Sequence, residues 1–564
     1  MDLPSKRAPR RKDDRIILHF DYDCFYASVY ENRDPQLKAL PLGVKQKSIL
    51  ATCNYVARKR GVKKLMLIVD AKKLCPDLVI IDGEDLTPFR DTSKRLFGFF
   101  RGYSWNNKVE RLGFDEVFMG TDVTDIINYN MFCLNKASLS ESFFHLSKQN
   151  PENGFICNLT KVAGCIYGMT PEPSDFNPNY VRLLLASHLA FHLRTKLEAD
   201  LGFTASVGVS TNKLLSKLVG SVNKPRNQTT LISLDDSVVA EFMDIHSVRK
   251  VPGIGVKTSR MLEDRYLSTP LGPDDADREN SPLKVHNVRT HPETSPVALE
   301  RLLGGPGSER GVGERVWGLL HGIDDTEVKD ASEIPSQISI EDTFKGLESM
   351  SQIENELRKI SASLVRRMRI DLLTDDGDDS LEPGRQRWIA HPKTLRLSIR
   401  SWPTEWTPNF QRISRSQPLP NFIFTLKEPP ESIAERLTTD LLLPSMKKFY
   451  PPGHRWNLQL MNVCVANMVA SGSEARSGVG RDISVMFRKQ DDVLRQWRID
   501  KAIVEDDDEQ WVPEDDVEED MELGEFNEGA SWKDGLVTAR CPLCEHSIPS
   551  FALAAHARYH ELGD

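Results

Sequence analysis

Two adjacent carboxylates lie within residues 111–119, RLGFDEVFM. The apolar residues on both sides predict a short hairpin with Asp115 and Glu116 at or beside its turn. Because neighbouring strand residues point to opposite faces, both carboxylates can approach one point only at a turn or a local twist. Carboxylates held that close repel each other, and a bound cation would relieve the repulsion.

A second acidic stretch lies at residues 16–26, IILHFDYDCFY, where an apolar strand is predicted to end in Asp21. Three carboxylates from two strand ends would form an all-oxygen site suited to Mg²⁺. Such a site is typical of two-metal phosphoryl transfer, in which one ion activates the attacking oxygen and the other holds a triphosphate. The alternative is that these acidic residues are solvated turn residues.

The composition is that of an ordinary globular protein, with 39% hydrophobic and 27% charged residues among 564. This length predicts roughly three to five domains. No apolar run approaches the roughly 20 residues of a membrane span, and no signal-peptide pattern is found, so we expect a cytosolic or nuclear protein. The nine cysteines are scattered, which argues against a disulfide framework.

The net charge of −9 is concentrated in one segment. Residues 501–530 carry 14 Asp and Glu against one Lys, and without them the net charge is about +4. This segment predicts an acidic linker that does not fold alone. Residues 6–12 form a basic cluster, which could be a nuclear localisation signal or a disordered tail.

A helix is predicted to begin near Asn54 and to end at Gly61, within residues 49–61, ILATCNYVARKRG. Tyr55 and Arg58 lie three residues apart and therefore share a face of this helix. A phenol and a guanidinium on one face could hold the outer phosphates of a nucleotide, although an ordinary helix surface is the alternative.

Residues 21–30, 54–61 and 112–118 resemble the defining motifs of the Y-family translesion DNA polymerases, and the similarity extends with interruptions from about residue 15 to 490. This resemblance implies an α+β multidomain, right-hand polymerase with a ferredoxin-like palm, small fingers, a helical thumb and an α/β little finger. The expected segments are a basic tail 1–14, palm 15–27 and 90–240, fingers 28–89, thumb 241–330, little finger 335–490, acidic linker 491–535 and zinc finger 536–564.

The resemblance also implies roles for single residues. Asp21, Asp115 and Glu116 would be the metal ligands, helped by the backbone carbonyl of Tyr22, whereas Asp23 would not be a ligand. Tyr26 would be the steric gate that stacks under the sugar and excludes a 2′-hydroxyl.

Further residues would form the nucleotide site. Tyr55, Arg58 and Lys224 would hold the triphosphate, and the same site would include Cys24, Phe25, Thr52, Gln46 and Ile49. Gln46 and Ile49 match positions that narrow the active site in one branch of the family. There a bulky aliphatic residue crowds the templating base and favours Hoogsteen pairing. A core position in a fingers strand is the alternative for Ile49.

Two segments fit the family pattern poorly. Residues 128–180 predict a partly structured insertion on the palm, and the Pro- and Asp-rich residues 268–300 predict a disordered insertion in the thumb. Between them, residues 181–200 predict a helix and residues 205–210 a strand, which completes a split βαβ palm.

Residues 251–262, VPGIGVKTSRML, have the pattern of a helix-hairpin-helix. The two glycines, Gly253 and Gly255, would let the chain turn tightly and present backbone N–H groups to a DNA phosphate. Pro252 belongs to the same turn, and Lys257 and Arg260 follow it. A plain turn between two helices is the alternative.

The little finger is expected to contain a helix over residues 353–368 and strands over 394–400 and 458–466. Four arginines would give the helix positive charge: Arg358, Arg366, Arg367 and Arg369. Arg396 lies in a strand that alternates apolar and basic residues, as expected when one face meets a core and the other meets phosphate. Solvated strand charges are the alternative.

Near the C-terminus, Cys541 and Cys544 are followed by His556 and His560. Two Cys separated by two residues, and two His four positions apart on one helical face, would supply four tetrahedral ligands for a structural Zn²⁺. This segment resembles the ubiquitin-binding zinc fingers of related polymerases, but Arg558 stands where those fingers usually have Asp. Ubiquitin binding and a purely structural finger therefore both stay open.

We therefore predict a nuclear, monomeric DNA-directed DNA polymerase of the Y family that performs error-prone translesion synthesis. It would use Mg²⁺, with Mn²⁺ as the alternative ion, and a structural Zn²⁺. Its expected partners are primer-template DNA and dNTP, with ubiquitin or a ubiquitinated sliding clamp left open and no membrane. Another branch of the family, with a different lesion preference, and a non-catalytic scaffold at stalled forks are the alternatives.

Overall fold

A computed structural model describes residues 9–135, 138–170, 177–267, 282–305, 308–330, 332, 334–375, 386–403, 412–450, 453, 455–471, 538–540 and 547–549. The chain divides into two compact units, Met1–Val479 and Gly480–Asp564. No helix within the described ranges is both long and apolar enough to cross a membrane.

The strands, in chain order, are β1 (Ile17–Tyr22), β2 (Leu42–Gln46), β3 (Ile49–Cys53), β4 (Val79–Asp82), β5 (Val109–Leu112), β6 (Glu116–Met119), β7 (Ser142–His145), β8 (Gly154–Cys157), β9 (Cys165–Tyr167), β10 (Ala205–Ser210), β11 (Gln228–Leu231), β12 (Gln337–Leu347), β13 (Leu373–Asp375), β14 (Gln386–Trp388), β15 (Ala390–Ser401), β16 (Arg412–Pro418), β17 (Leu458–Ala470), β18 (Thr538–Arg540) and β19 (Ser547–Pro549).

The α-helices are α1 (Phe25–Arg33), α2 (Tyr55–Lys59), α3 (Ile68–Leu74), α4 (Thr87–Arg101), α5 (Thr121–Phe132), α6 (Pro178–Leu201), α7 (Lys213–Val219), α8 (Asp236–Asp244), α9 (Val256–Tyr266), α10 (Val285–Arg289), α11 (Pro296–Leu303), α12 (Val312–Leu320), α13 (Met350–Leu372), α14 (Pro430–Leu437) and α15 (Leu443–Lys447).

A six-stranded sheet with the order β5-β6-β1-β10-β11-β9 forms the centre of the first unit. Strands β5, β6, β1 and β10 are antiparallel to one another in turn. Strand β11 then pairs in parallel with β10, and β9 pairs in parallel with β11 at the edge. Strand alternation places Leu18, Phe20 and Tyr22 on the face that shares a core with α1, α4, α5 and α6. The opposite face carries His19 and Asp21.

The predicted insertion at 128–180 was only partly correct. Helix α5 continues to Phe132, β7 and β8 pair as a hairpin, and β9 pairs with β11 at the edge of the central sheet. The segment is therefore built into the sheet and its core, where Phe144 and Leu159 are buried. Its three short strands lack a long alternating pattern, which is why the sequence did not reveal them.

A small three-stranded sheet, β3-β2-β4, carries α2 and α3 and has its own core around Leu50, Cys53 and Leu78. Helices α7 to α12 share another core. The predicted disordered insertion at 268–300 was wrong from Leu283 onward, because this part forms α10 and most of α11. Val285 and Val288 are buried, and Ser295 caps α11 by accepting from the N–H of Ala298 at 3.2 Å.

The C-terminal sheet has the order β12-β17-β15-β16, with helices α13 to α15 on one face. The predicted helix at 353–368 and the predicted strands at 394–400 and 458–466 lie within α13, β15 and β17. Leu395, Leu397 and Ile399 face the helices, so Arg396 and Ser398 belong to the other face of the sheet.

Candidate active site

Strand pairing brings the predicted carboxylates to one end of the central sheet. Asp21 pairs with Glu116 across the antiparallel strands β1 and β6. Asp115 lies in the turn between β5 and β6, and its carbonyl accepts from the N–H of Tyr22 at 2.8 Å. The hairpin and the position of its turn therefore agree with the sequence-based prediction.

The three side chains do not converge as a ligand set, and no group of three or more His, Cys, Asp or Glu in the described part of the chain is arranged to hold a metal ion. Asp21 Oδ2 lies 2.5 Å from the Nζ of Lys224. Glu116 pairs with Lys217 and lies 3.0 Å from the Nε2 of His19. Each of these two carboxylates thus has its own cationic or polar partner.

The pKa values of the two carboxyls in the hairpin move in opposite directions. Desolvation raises the pKa of Asp115 to about 6, and the negative charges of Asp21 and Glu116 act in the same direction. Desolvation also opposes ionisation of Glu116, but its hydrogen bonds and charge interactions with His19 and Lys217 outweigh this and lower its pKa to about 2. Burial lowers the pKa of His19, while its hydrogen bond and charge interaction with Glu116 act in the opposite direction.

Asp23 has a structural position. It is buried, and its carboxylate accepts from the hydroxyl of Ser206 at 2.7 Å and from the N–H of Arg226 at 2.9 Å. With both oxygens bonded inside the protein, Asp23 is not open to a cation.

Tyr26 is half-buried on α1 and lies over an aromatic cluster. Its ring meets the edge of Phe89 at a centroid distance of 4.3 Å and that of Phe114 at 6.5 Å. Phe25, which the resemblance places in the nucleotide site, is 3% exposed. It packs inward and supports Tyr26 at 5.8 Å. Cys24 precedes α1 in the left-handed region, with φ 48°, and its thiol is buried.

Tyr55 and Arg58 share one face of α2, as predicted. Asn54 caps this helix by accepting from the N–H of Ala57 at 2.9 Å. The Arg58 guanidinium lies 4.7 Å from the centre of the Tyr55 ring, and its Nε donates to the carbonyl of Cys53 at 3.1 Å. Thr52 is buried, with its hydroxyl 3.4 Å from Arg58 Nη2. The phenol and the guanidinium are therefore held together near α1, where burial and the charge of Asp23 raise the pKa of Tyr55.

Gln46 and Ile49 are cross-strand neighbours at the end of the β2–β3 hairpin. Both side chains are partly exposed, and Gln46 Nε2 donates to the carbonyl of Gly83 at 3.2 Å. Ile49 is therefore not a core residue, in contrast to the alternative weighed from the sequence.

The Pro-Gly-x-Gly turn lies at a cleft of about 1150 Å³ that also contains Lys213 and Lys217. Gly253 has φ 90° and Gly255 has φ −76°. The backbone angle of Gly253 therefore favours glycine, whereas a residue with a side chain readily adopts the Gly255 backbone angle. Pro252 borders the cleft, and Lys257 is exposed on α9.

We expect Gly253→Ala to destabilise the protein by about 1–2 kcal/mol and Gly255→Ala to have a much smaller effect. A Cβ at Gly253 would lie 2.9 Å from Leu319 Cδ1 in addition to the unfavourable φ, whereas a Cβ at Gly255 meets nothing within 4 Å. Urea unfolding of both variants measures the difference. Equal destabilisation would contradict this assignment of the turn.

The arginines of α13 are engaged within the protein and do not form a free basic row. Arg366 pairs with Glu431 at 2.5 Å, Arg367 with Asp371 at 2.5 Å and Arg358 with Glu354 at 2.6 Å. On the sheet, Arg396 Nη2 donates to Gln337 Oε1 at 2.8 Å. Arg396 is partly exposed and lies on the face that the helices leave uncovered.

The four predicted zinc ligands, Cys541, Cys544, His556 and His560, lie outside the described residues. Strands β18 and β19 are antiparallel and flank the two cysteines in sequence. The acidic segment 501–530 also lies outside the described residues.

Three residues near the carboxylates were missed in the sequence. His19 stands two residues before Asp21 on one strand, so strand alternation alone puts both on the same face. Phe89 and Lys217 lie on helices distant in sequence from the residues they contact, and no local pattern reveals such contacts.

Two family models match the chain. The impB/mucB/samB family model matches residues 20–221, and the model of the impB/mucB/samB family C-terminal domain matches residues 335–478. Together they match more than half of the 564 residues. The chain therefore belongs to the impB/mucB/samB family, and the predicted relation to Y-family polymerases is confirmed.

Individual relatives are DNA polymerases. DNA polymerase iota of Homo sapiens is 33% identical over 456 residues, which are 81% of this chain and 52% of that protein. DNA polymerase iota of Drosophila melanogaster is 33% identical over 372 residues, 66% of this chain and 44% of that protein. DNA polymerase IV of Ectopseudomonas mendocina (strain ymp) is 28% identical over 354 residues, which are 62% of this chain and 76% of that protein. The chain thus spans about half the length of the iota polymerases it matches.

Proposed function

We propose that this protein is a DNA-directed DNA polymerase that performs error-prone translesion synthesis in the nucleus, with the properties of the iota branch. One observation carries the proposal: in a chain of this family, Asp21 pairs with Glu116 across two adjoining strands, and Asp115 lies in the turn that leads into the second of these strands. The alternatives are an eta- or kappa-like enzyme with a different lesion preference and a non-catalytic scaffold at stalled forks.

The donor set fits a divalent cation. Three carboxylates are hard oxygen donors, and the Tyr22 carbonyl would add a fourth. The pKa of Asp115 is raised partly by the charges of Asp21 and Glu116. When bound, Mg²⁺, or Mn²⁺ in its place, would lower the pKa of the primer 3′-hydroxyl and offset charge on the triphosphate. Lys217 and Lys224 neutralise Glu116 and Asp21 in the free protein, and a cation would take over that role.

The remaining residues bind and orient the nucleotide. Tyr55 and Arg58 present a phenol and a guanidinium from one helix face to the outer phosphates. Lys224, released from Asp21, would reach the triphosphate as well. Tyr26 would lie under the sugar and exclude a 2′-hydroxyl, while Cys24 and Thr52 complete the wall behind Arg58.

The central sheet with its helices would be the palm, the β3-β2-β4 sheet the fingers, α8 to α12 the thumb and the C-terminal sheet the little finger. The order β5-β6-β1-β10 supports a ferredoxin-like palm. Primer-template DNA would contact the turn at Pro252 and Gly253, the exposed Lys257, and the uncovered sheet face at Arg396. A zinc finger at Cys541, Cys544, His556 and His560 would complete the chain as a protein-binding module for ubiquitin or a ubiquitinated clamp.

Metal affinity should depend on pH. Only ionised Asp115 binds a cation, so we expect Mn²⁺ affinity, measured by electron paramagnetic resonance, to fall as pH decreases through about 6. Glu116, with a pKa of about 2, stays ionised over that range. Affinity that is unchanged down to about pH 5 would contradict Asp115 as a ligand. Asp115→Asn should bind Mn²⁺ more weakly than the wild type, and its affinity should not change through this pH range.

Single-nucleotide primer extension opposite each template base, with Mg²⁺ and with Mn²⁺, tests the function. We expect accurate insertion opposite A and frequent misinsertion opposite T. Activity with an even base preference would favour an eta- or kappa-like enzyme. A chain that binds primer-template without extending it would favour the scaffold.

A further inference from the structure

Four cationic side chains meet between α4, β5 and α13. Arg90 and Lys94 lie on α4 one turn apart, with Phe97 on the same face, and Arg367 and Asp371 lie one turn apart on α13. Lys94 Nζ contacts Asp371 at 2.5 Å, and Arg367 Nε contacts the same carboxylate at 2.5 Å. The two helices are thus joined through Asp371, which is 9% exposed at its side chain.

Two more guanidiniums lie against aromatic rings at this junction. Arg111, from β5, lies 5.7 Å from the ring centre of Phe97, and Arg90 lies 6.0 Å from that of Phe114. The guanidiniums of Arg90 and Arg111 form no ion pair and no hydrogen bond with any residue that the structure describes. Because Phe114 precedes Asp115, the cluster is one residue away from the candidate active site.

Arg367 supplies independent evidence for a missing anion. It is 7% exposed, and its buried Nη1 has no hydrogen-bond partner among the described residues. Nearby carboxylates do not balance the cluster. Asp371 is shared between Lys94 and Arg367, and Asp85 accepts from the N–H of Thr87 at the start of α4.

The free protein bears a cost for this arrangement. Desolvation lowers the pKa of both Arg90 and Arg111, and the charge of Arg367 acts in the same direction, while the charge of Asp371 opposes both effects. Three guanidiniums and one ammonium that share the single buried carboxylate of Asp371 form an unfavourable arrangement, which a bound anion would relieve. Their planar donors suit phosphate oxygens.

The hairpin separates this cluster from the cleft at Gly253. Glu110 and Leu112 line that cleft, so the alternation of β5 directs Arg111 to the other side. A duplex centred on the turn at Asp115 would meet basic groups on both sides. Lys213 and Lys217 lie on the side of the cleft, and the arginine cluster lies on the side of α13.

We propose that Arg90, Arg111 and Arg367 bind a backbone phosphate of the template strand just ahead of the insertion site. This inference rests on the proposed function, because it requires primer-template DNA as the substrate. Lys94 would add a fourth donor when the phosphate competes with Asp371 for its ammonium group.

Equilibrium DNA binding tests the site without requiring catalysis. Fluorescence anisotropy, without dNTP or divalent metal, compares a primer-template carrying a single-stranded 5′ template extension with the blunt duplex of the same sequence. We expect Arg90→Gln/Arg111→Gln to weaken binding of the extended substrate by at least about tenfold. The slope of the logarithm of the binding constant against the logarithm of the salt concentration should become shallower by about one to two. The blunt duplex should be affected by less than about twofold.

The control is Arg95→Gln/Arg366→Gln, which removes the same charge from another face of α4 and from the exposed pair with Glu431. Without DNA, the midpoint temperature of thermal unfolding of Arg90→Gln/Arg111→Gln should equal or exceed that of the wild type, because the substitutions relieve repulsion between the cationic side chains. Unchanged affinity for the extended substrate would overturn the site, and equal weakening on both DNAs would overturn its assignment to the template strand. A wild-type chain that binds neither DNA would overturn the proposed function, and this inference with it.

Discussion

Asp115→Asn/Glu116→Gln is expected to lower the rate of nucleotide insertion by at least about a thousandfold. Both amides keep the shape of the carboxyls but lose the negative charge that attracts a divalent cation. Single-turnover primer extension at saturating Mg²⁺ and dNTP measures the loss. Anisotropy with the same primer-template should show that DNA binding persists.

The single variants separate catalysis from folding. The raised pKa of Asp115 means that its ionised form disfavours the folded state above about pH 6, so Asp115→Asn should be as stable as the wild type or more stable at neutral pH without metal. The lowered pKa of Glu116 has the opposite effect on the stability of the fold. Ionised Glu116 stabilises the fold, and Glu116→Gln should unfold at lower temperature.

Asp91→Asn, an exposed change on α4, is the matched control and should leave activity unchanged. If the double variant kept more than about a tenth of the wild-type rate, the carboxylates would not be the centre of the reaction. The scaffold alternative would then gain weight.

The sequence predicted the parts of this site that depend on local pattern. Asp21 at a strand end, Asp115 in a turn and the cap at Asn54 each follow from a few neighbouring residues. The carboxylates were predicted to share a metal, but the local pattern did not show that Lys217 and Lys224 pair with Glu116 and Asp21 in the free protein. Those lysines come from elements about 100 and 200 residues away in the chain, a distance that no periodicity spans.

The errors have the same origin. Val285 and Val288 form a helical face too short to stand out beside the acidic and Pro-rich residues before them. Arg367 was expected to give its helix positive charge, whereas its side chain is buried and pairs with Asp371, which also binds Lys94 from α4. Burial of a charged side chain is decided by the element packed against it, and that element is not visible in local sequence.

Tyr26→Ala is expected to reduce discrimination between dNTP and rNTP by on the order of a hundredfold. The Tyr26 ring is fixed from behind by the edge of Phe89 at 4.3 Å and approached by Phe114 at 6.5 Å, so it cannot swing away from an added 2′-hydroxyl. Alanine would open that space. The ratio of kcat/KM for dCTP and CTP opposite template G measures the change.

Tyr26→Phe is the decisive control, because it keeps the ring and removes only the hydroxyl. If exclusion is steric, this variant should discriminate like the wild type, and the deoxynucleotide kcat/KM should stay within about tenfold in both variants. Loss of discrimination in Tyr26→Phe would instead assign the selectivity to a hydrogen bond from the phenol. Retained discrimination in Tyr26→Ala would place the gate at another residue.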